Sequence, residues 1–555
     1  MRSALTPNAT EAPRYMLGAG PRQFEARWLP AAILAIAVGA GVLLPRSPLP
    51  VAGALGGLCL VIAAALFAAR LPNLFLGFAG VLLAGYAFLG RGFAYLGVPP
   101  IYVGEVGLAF GLLAATMSGA VRLALRSPLV WMLIAYDAWG AAQTIPYLQT
   151  YGTDALRDAV TWSYSLFAVV VAACLLSSQQ RAPFQLSANT TERSSQHRSA
   201  GCADASWSDQ VGTALARVLD HYRRWLPLFL LCVPILWWLR YAYEGLPRAP
   251  GSTVPIPFFK PGDAAVHLAG IAAFLLVGLY RRSRDQERIR FHPPEWLLWS
   301  AWLIAVMFVA SLTRGGLLAI LVSLTAVLAL RPAAAGRKVG AVTAVAALSV
   351  AFFVAARPPD VAILSAPESY RAISFRQISA NVRSIVTSAD DGNLEGNRRW
   401  RLDWWSTILG YTVFGEQFWT GKGFGVNLAD DDGFQVESDG SLRSPHNSHL
   451  TILAREGVPG FALWVLLQST FAVALVRAHL RARRGGQAFW AHVCLWVLAY
   501  WLASLTNMGF DVVLEGPQGA IWFWSLFGLG IAAIQGQQDG GRRSAAVALQ
   551  AWRPM

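Results

Sequence analysis

Arg314 is the first residue of this chain whose type and place could do chemistry. It stands in SLTRGG, between two apolar runs, and two glycines follow it. A guanidinium inside a membrane costs free energy, although less near the interface than at the centre, so it is usually retained for a partner or for function. It can also snorkel to the surface and mark a helix end. Both interpretations stay open for Arg314, while the glycines would let a substrate or another helix approach the backbone.

A second group consists of cations in and around NRRWRLDWW and GKGFG. An arginine guanidinium can donate two parallel hydrogen bonds, so it suits the paired oxygens of a phosphate or diphosphate. We expect most of these cations to be solvated or salt-bridged, and one or two to bind a substrate. Carboxylates outnumber cations between residues 357 and 448, so this stretch is not a basic patch of the kind that binds nucleic acid. The candidates are Arg376, Arg398, Arg399, Arg401 and Lys422.

The third group is the His446–Asn447 pair, with His449 one helical turn later. Histidine titrates near neutrality, so His446 could take a proton from an attacking hydroxyl. It could equally be a capping or core histidine. A metal site would need further ligands from the aspartates at 430–432, but that run fits no standard ligand spacing and we expect it to be solvated. We predict neither a metal nor a cofactor.

The elements that would position these residues are predicted from apolar runs. The chain is 55% hydrophobic and 14% charged, against about 25% charged in soluble domains. Apolar runs of about 17 or more residues recur along the chain, and each can cross a hydrocarbon core of about 30 Å as a helix. The predicted fold is all-α, a polytopic transmembrane helix bundle of about 12–14 spans with one large periplasmic loop. Candidate spans are 29–44, 51–69, 72–89, 105–121, 128–145, 162–178, 226–242, 263–280, 295–312, 315–330, 338–356, 452–476, 488–508 and 518–535.

The net charge of +14 reflects arginines on alternate turns, such as RRSRDQERIR and RARR. This asymmetry predicts that both termini are cytoplasmic and that the long loop lies outside. The first apolar run has no clear cleavage site, so we expect a retained anchor. The expected divisions are a cytoplasmic tail (1–28), N-terminal spans (29–178), a cytoplasmic linker (179–225), central spans (226–356), a periplasmic catalytic loop (357–448), C-terminal spans (449–535) and a cytoplasmic tail (536–555).

Two polar segments differ in character. The linker is rich in Ser, Gln and Arg, which favours a disordered connector, although its end, ALARVLDHYRRW, could form an amphipathic helix. In the loop, residues 398–409 have helical spacing, with Trp400, Trp404 and Ile408 on one stripe. We expect the tryptophans, including Trp405, at the membrane interface rather than stacked on sugars.

Taken in order, SLTRGG, NRRWRLDWW, GKGFG and PHNSHLTILAREGVPG resemble the O-antigen ligase and polymerase superfamily of bacterial envelope glycosyltransferases. The resemblance covers residues 300–480. In that family an arginine followed by glycine closes an outer helix, a second arginine lies in the periplasmic loop, and a His-Asn pair precedes a Gly-x-x-Gly turn. The matching positions are Arg314, Arg401, His446, Asn447, Gly457 and Gly460. Arg398 or Arg399 could hold the place of Arg401.

The resemblance implies transfer of a glycan from a polyprenyl (undecaprenyl) diphosphate carrier to an acceptor hydroxyl at the periplasmic face of the bacterial inner membrane. Arg314 and Arg401 would neutralise the leaving diphosphate without a metal, and His446 would deprotonate the acceptor. Direct displacement would invert the anomeric centre. Expected partners are the lipid-linked glycan, a glycan or lipid acceptor and other polysaccharide-assembly proteins, but no nucleic acid. Residues expected to bind substrate are Arg376, Arg398, Arg399, Lys422 and Asn447.

Three alternatives remain. A polymerase of lipid-linked repeat units would share this catalytic outline and differ in its acceptor. A flippase would suit Asp137, a carboxylate in an apolar run, although we favour an Asp137 that is hydrogen-bonded inside the bundle. Transporters also tend to be built from paired halves with broken helices, and none is evident. A metal-dependent oligosaccharyltransferase usually has carboxylates in its first outer loop. The first predicted outer loop here, LPRSPLP, contains none, which argues against that class of enzyme.

Overall fold

The computed structural model describes residues 70–98, 101–180, 213–243, 245–248, 254–282, 293–330, 340, 344, 348, 362–364, 373–386 and 392–551. The predicted spans 29–44 and 51–69, most of 338–356 and most of the linker lie outside the described residues. Within them, helices dominate and the strands are very short. The all-α polytopic fold class is confirmed.

The helices, in chain order, are α1 (Leu71–Leu89), α2 (Arg91–Ala94), α3 (Val103–Met117), α4 (Val121–Ala124), α5 (Pro128–Thr144), α6 (Leu148–Tyr151), α7 (Thr153–Ser163), α8 (Leu166–Gln180), α9 (Thr213–Ala242), α10 (Pro261–Leu276), α11 (Leu279–Arg282), α12 (Glu295–Leu312), α13 (Arg314–Leu330), α14 (Phe375–Val386), α15 (Gly392–Thr412), α16 (Leu428–Asp431), α17 (Ser448–Arg484), α18 (Ala488–Met508) and α19 (Pro517–Ala551). A 3-10 turn, Ile145–Tyr147, precedes α6. Two antiparallel pairs join β1 (Gly97–Val98) to β2 (Ile101–Tyr102) and β3 (Ala362–Leu364) to β4 (Ile373–Ser374).

Six helices in the described part of the chain are long and apolar enough to cross a membrane, namely α1, α9, α12, α17, α18 and α19. The bent pair formed by α7 and α8 would make a seventh span. Three shorter apolar helices, α3, α10 and α13, coincide with further predicted spans. At about 1.5 Å per residue these are shorter than a hydrocarbon core of about 30 Å. The apolar runs therefore predicted where the helices lie, but some of those helices are too short to cross the membrane as straight spans.

The core of the bundle lies around α18 and α19. Helix α18 packs against α10, α13, α17 and α19, while α19 also packs along α8. Large aromatic side chains fill this centre: Trp464, Trp501 and Trp524 are among the largest fully buried residues. Rings of this size dominate the free energy gained by burial. Helices α17, α18 and α19 are thus anchored in a buried aromatic core.

Helix α9 begins at Thr213, within the predicted linker, and runs through Pro227 and Pro234 to Ala242. Its first turns bury Leu215 and Leu219. The expectation of a disordered connector is therefore wrong for residues 213–225. Their apolar face packs into the protein, and this packing stabilises the helix.

The long loop contains two helices with different partners. Helix α14 is strongly amphipathic and packs Ile378 and Val382 against Ala310 of α12. Helix α15 confirms the predicted helix at 398–409 and extends it at both ends. Its Trp404 and Ile408 are fully buried in a cluster with Leu428, Ala429, Leu453 and Ala454. The expected interface position is wrong for Trp404, because this ring forms the core between the loop and α17.

Candidate active site

Arg314 is the first residue of α13, directly after a break in the chain. Thr313 is extended (φ −143°, ψ 126°) and ends α12. Its hydroxyl oxygen accepts a hydrogen bond of 3.1 Å from the backbone N–H of Gly316, which caps α13. Arg314 itself is half-buried. The break fixes the arginine at a helix start, where backbone N–H groups and the helix dipole favour an anion.

A loop residue completes this break. The side-chain Nδ2 of Asn381, on α14, donates to the carbonyl of Ala310 at 2.8 Å and to the carbonyl of Ser311 at 2.9 Å. Carbonyls in the last turn of a helix lack intrahelical partners and need such a donor when they are buried. Asn381 is fully buried. The loop therefore holds the end of α12 just before Arg314.

The two glycines after Arg314 permit close packing. A Cβ atom at Gly315 would lie 2.7 Å from the Cβ of Phe510, and one at Gly316 would lie 2.7 Å from the Cβ of Ala265 on α10. Neither approach leaves room for a side chain. The start of α13 is thus pressed against α10 and against the segment that joins α18 to α19. We call that segment, residues 509–516, the α18–α19 turn.

Arg401 reaches the same turn from the loop. Its Nη1 donates a hydrogen bond of 3.0 Å to the backbone carbonyl of Phe510. Its neighbours Arg398 and Arg399 are exposed, and so is Arg376 on α14. The structure therefore brings Arg401, of the three arginines in RRWR, to the residue that packs on Gly315.

His446 sits immediately before the N-cap of α17. The Oδ1 of Asn447 accepts hydrogen bonds from the backbone N–H groups of His449 (3.0 Å) and Leu450 (3.2 Å), so Asn447 caps the helix. His446 is the sole non-glycine residue among those described with a positive φ, 52°. Such a backbone costs about 1–2 kcal/mol and is often retained where function needs it.

Two tryptophans of α15 hold this turn in place. Trp405 donates from Nε1 to the carbonyl of Pro445 at 3.0 Å. The ring of Trp400 lies 6.4 Å from the imidazole of His446, centre to centre. The aromatic residues of NRRWRLDWW therefore position the histidine from inside the protein, which again differs from the expected interface stripe.

Sequence reasoning missed an ion pair at the centre of this region. The Nζ of Lys260, at the start of α10, lies 2.9 Å from Oδ1 of Asp511, and both side chains are largely buried. Burial lowers the pKa of Lys260, but Asp511 and Asp263 outweigh it and raise the pKa overall. For Asp511, burial raises the pKa, but Lys260 outweighs it and holds the pKa below its usual value. Both groups are therefore charged at neutral pH. Each residue stands in a connection between two predicted spans, on the same side of the membrane as the long loop. This shared side was the one sign in the sequence that the two residues could meet.

The charges of Arg401, Lys260 and Asp511 all act on His446. Burial, Arg401 and Lys260 lower the pKa of the imidazole and Asp511 raises it, and together they bring the pKa to about 4. The imidazole is consequently neutral at pH 7 and can accept a proton. His446, Arg401 and the Lys260–Asp511 pair thus form one electrostatic unit, with Arg314 connected to it through Gly315 and Phe510.

The hydroxyl of Ser448 links the start of α17 to the α18–α19 turn. It donates to the carbonyl of Asp511 at 3.0 Å and accepts from the N–H of Val513 at 2.9 Å. A hydroxyl that both donates and accepts fixes the backbone on either side of Asp511. The turn is therefore held on three sides, by α13, α15 and α17.

The Gly-x-x-Gly turn predicted in α17 has a packing role. Gly457 has φ 67° and interrupts the helix. A Cβ there would lie 2.5 Å from the carbonyl oxygen of Phe418, so only glycine fits without strain. The N–H of Val458 donates to that same oxygen at 2.8 Å, and the N–H of Lys422 donates to the carbonyl of Ala454 at 2.7 Å. GKGFG is therefore bound to the interrupted part of α17.

The side chain of Lys422 has protein partners. It forms ion pairs with Asp431 and Asp432 and lies 4.3 Å from the ring centre of Tyr411. Asp432 is fully buried at its side chain and also accepts a hydrogen bond of 2.6 Å from Nε1 of Trp404. The expectation of a solvated acidic run is wrong for Asp432. The ammonium of Lys422 is thus held by two carboxylates of the loop itself, and its expected role in substrate binding stays a prediction.

A second buried ion-pair cluster ties the loop to α7. Asp158 lies 2.9 Å from Nη1 of Arg455 and 3.1 Å from Nη2 of Arg443. It also accepts a hydrogen bond from the N–H of Gly425. These contacts join residues far apart in the sequence, so the linear order gave no sign of them. The cluster fixes the loop against the N-terminal helices.

The two remaining sequence candidates are engaged inside the bundle. His449 accepts a hydrogen bond from Nε1 of Trp464 at Nδ1 and contacts the carbonyl of Leu505 through Nε2 at 3.1 Å. Asp137 is buried and accepts a hydrogen bond from Ser165. The favoured interpretation of Asp137 as a hydrogen-bonded residue of the bundle is confirmed.

A family model described as O-antigen ligase matches residues 299–465 of this chain. The matched segment contains Arg314, Arg401 and His446, together with Asn447 and the glycines of α17. No curated protein matches the chain. Lys260 and Asp511 lie outside the matched segment, one before it and one after it.

Proposed function

We propose that this chain, a multi-pass membrane enzyme of the O-antigen ligase and polymerase type, transfers a glycan from a polyprenyl diphosphate carrier to an acceptor hydroxyl. The acceptor is a lipopolysaccharide core or another surface glycan, as in an O-antigen ligase. The matching family model is described as a ligase, which favours a transferase over a flippase.

In the proposed reaction, the acceptor oxygen attacks the anomeric carbon of the glycan while its proton passes to the neutral imidazole of His446. The bond between that carbon and the diphosphate oxygen breaks, and the electron pair stays on the lipid diphosphate. Arg314 and Arg401 neutralise this growing charge. Attack opposite the leaving group inverts the anomeric configuration. The protein supplies the base and the cations, and the proposed chemistry uses no metal.

The observation that carries this proposal is the meeting of α13, α15 and α17 at the α18–α19 turn. Arg401 donates to the carbonyl of Phe510, Gly315 beside Arg314 packs on the side chain of Phe510, and Ser448, two residues after His446, donates to the carbonyl of Asp511. Cations and a neutral base within one region are what diphosphate departure and hydroxyl deprotonation need. Asn447 supports the base by capping α17, and we assign it a positioning role.

We also propose that this region faces the periplasm, with both termini in the cytoplasm and residues 357–448 forming the catalytic loop of an inner-membrane protein. The alternating arginines of the short loops support this orientation. Arg376, Arg398 and Arg399 are exposed, and we assign them to attraction of the anionic donor or acceptor rather than to the reaction itself.

A transfer assay tests the function. Purified protein in lipid nanodiscs receives a polyprenyl diphosphate glycan and an acceptor glycan, with and without EDTA, and NMR reads the anomeric configuration of the product. We expect transfer with inversion at the same rate in EDTA. A product with retained configuration would contradict direct displacement, and loss of activity in EDTA that a divalent cation restores would contradict the metal-free reaction.

Ligase and polymerase are distinguished by what accumulates in a deletion strain. The ligase that we propose would leave finished chains on the carrier, because only the last transfer is lost. Accumulation of single repeat units would instead assign the chain as a polymerase. Both outcomes keep the same catalytic residues and change only the acceptor.

A further inference from the structure

Lys260 lies at the edge of the proposed site and has no role in the reaction as described so far. It directly precedes α10, whose second turn carries Ala265, the residue that packs against Gly316 beside Arg314. Its ammonium pairs with Asp511, which directly follows the carbonyl that Arg401 binds. Lys260 is therefore adjacent to both arginine-bearing elements, although it comes from a different connection of the bundle.

The chemistry of the donor calls for such a cation. A glycan held on a lipid diphosphate carries one negative charge on each phosphate, and departure of the glycan adds a further charge to the terminal phosphate. Arg314 and Arg401 match the charge of the intact donor. An additional cation is needed for the charge that appears only as the bond breaks, and a lysine ammonium is a compact point charge well suited to one terminal oxygen.

We propose that Lys260 is a third donor-binding cation, which moves its ammonium from Asp511 alone to a position shared between Asp511 and the terminal phosphate of the lipid diphosphate. This inference rests on the proposed function. Asp511 holds the lysine in place, so that little side-chain entropy is lost when the donor binds.

The surrounding charges are compatible with this role. Asp511 and Asp263 keep Lys260 protonated, while Arg91 is the cation that acts against it. Arg91 is itself bound to the hydroxyl of Tyr95 at 3.0 Å. A phosphate near Lys260 would also offset the effect that Lys260 and Arg401 have on His446. Donor binding would thereby make the imidazole a stronger base at the moment when the acceptor must be deprotonated.

The test compares two lipids that differ by one phosphate. Undecaprenyl diphosphate and undecaprenyl monophosphate are titrated into the full-length protein in detergent, and tryptophan fluorescence reads binding. The variants are Lys260→Gln, Lys260→Arg and, as a control for loss of one positive charge, Arg157→Gln on the exposed face of α7. Because Lys260→Gln leaves Asp511 buried without its partner, the double variant Lys260→Gln/Asp511→Asn is included to restore a neutral pair.

We expect Lys260→Gln and the double variant to bind the diphosphate lipid about ten-fold more weakly, with a much smaller change for the monophosphate lipid. Lys260→Arg keeps the positive charge and should bind the diphosphate lipid more tightly than Lys260→Gln does, while Arg157→Gln should bind both lipids as the wild type does. An unchanged preference for the diphosphate in the two Gln variants would overturn the assignment of Lys260, and so would an equal loss for both lipids. Failure of the wild type to prefer the diphosphate would instead overturn the donor class on which the proposed function depends.

Discussion

Arg401 and Phe510 are joined by a hydrogen bond of 3.0 Å from the guanidinium Nη1 to the backbone carbonyl. The two residues come from the long loop and from the turn between the last two helices. The bond is significant because Asp511 follows Phe510 and is paired with Lys260, and because Phe510 packs on the glycine after Arg314. The α18–α19 turn thus connects Arg401 of α15 with Lys260 of α10 and with the start of α13, where Arg314 lies.

The bond predicts which arginine of RRWR matters most. Arg401→Gln should reduce glycan transfer by about 100-fold, because it removes a preorganised cation from the site. Arg399→Gln should reduce it by less than about ten-fold, since an exposed arginine is largely screened by water. Initial rates of transfer in nanodiscs measure both variants. Equal losses in the two variants would contradict the assignment of Arg401.

The electrostatics of His446 predict its titration. Since burial and the cations lower its pKa to about 4, the wild-type imidazole should stay neutral as the pH falls through the usual range for histidine, near pH 6.5. Arg401→Gln removes one lowering charge, so the pKa should rise and protonation should begin at a higher pH. NMR of protein with isotope-labelled histidine follows the titration, and His446→Asn assigns the signal. A pKa that falls in Arg401→Gln would contradict this account.

The interruption of α17 predicts a stability difference between two glycines. Gly457→Ala should lower the thermal stability of the protein, because the positive φ alone costs about 1–2 kcal/mol and the new methyl group would meet the carbonyl of Phe418. Gly410→Ala in α15 is the matched control, since nothing lies within 4 Å of its added Cβ. It should be neutral or slightly stabilising. Thermal unfolding followed by size-exclusion chromatography compares them, and equal melting temperatures would refute the packing argument.

The contact of Asn381 with the end of α12 predicts an effect on Arg314. Asn381→Asp keeps the shape of the side chain but replaces its N–H donor by an oxygen that faces two carbonyls. Leaving buried acceptors unpaired costs about 1–3 kcal/mol, so the break should loosen. We expect weaker donor binding and slower transfer, with Asn381→Leu behaving similarly. Wild-type kinetics in Asn381→Asp would show that this contact does not position Arg314.

The sequence predicted the parts of the site that lie in continuous motifs. Arg314 beside two glycines and the helix around Arg401 follow from local rules for helix ends and helical spacing, whereas Asn447 was expected to bind substrate and the structure shows it capping α17. Local rules also placed the helices of the bundle, and α18 occupies the predicted residues 488–508. These predictions succeeded because each depends on neighbouring residues alone.

The remaining features depend on residues far apart in the chain. Lys260 and Asp511 are separated by more than 250 positions, so no spacing rule could pair them. Trp404 was expected in the membrane interface, because a tryptophan stripe near a membrane commonly lies there. Its indole instead binds Asp432, a partner that only the folded loop supplies. Residues 213–225 were expected to be a disordered connector but form a helix, because packing against the rest of the protein stabilises that helix.

The most direct test of the central claim is a single-turnover measurement of glycan transfer from undecaprenyl diphosphate glycan by the wild type, His446→Ala, Arg314→Ala and the control Arg157→Gln. The account predicts a loss of about 10²–10⁴-fold for His446→Ala, the range for removal of a general base. It predicts a loss of about 100-fold for Arg314→Ala and none for the control. Wild-type transfer rates in both His446→Ala and Arg314→Ala would contradict the proposed site.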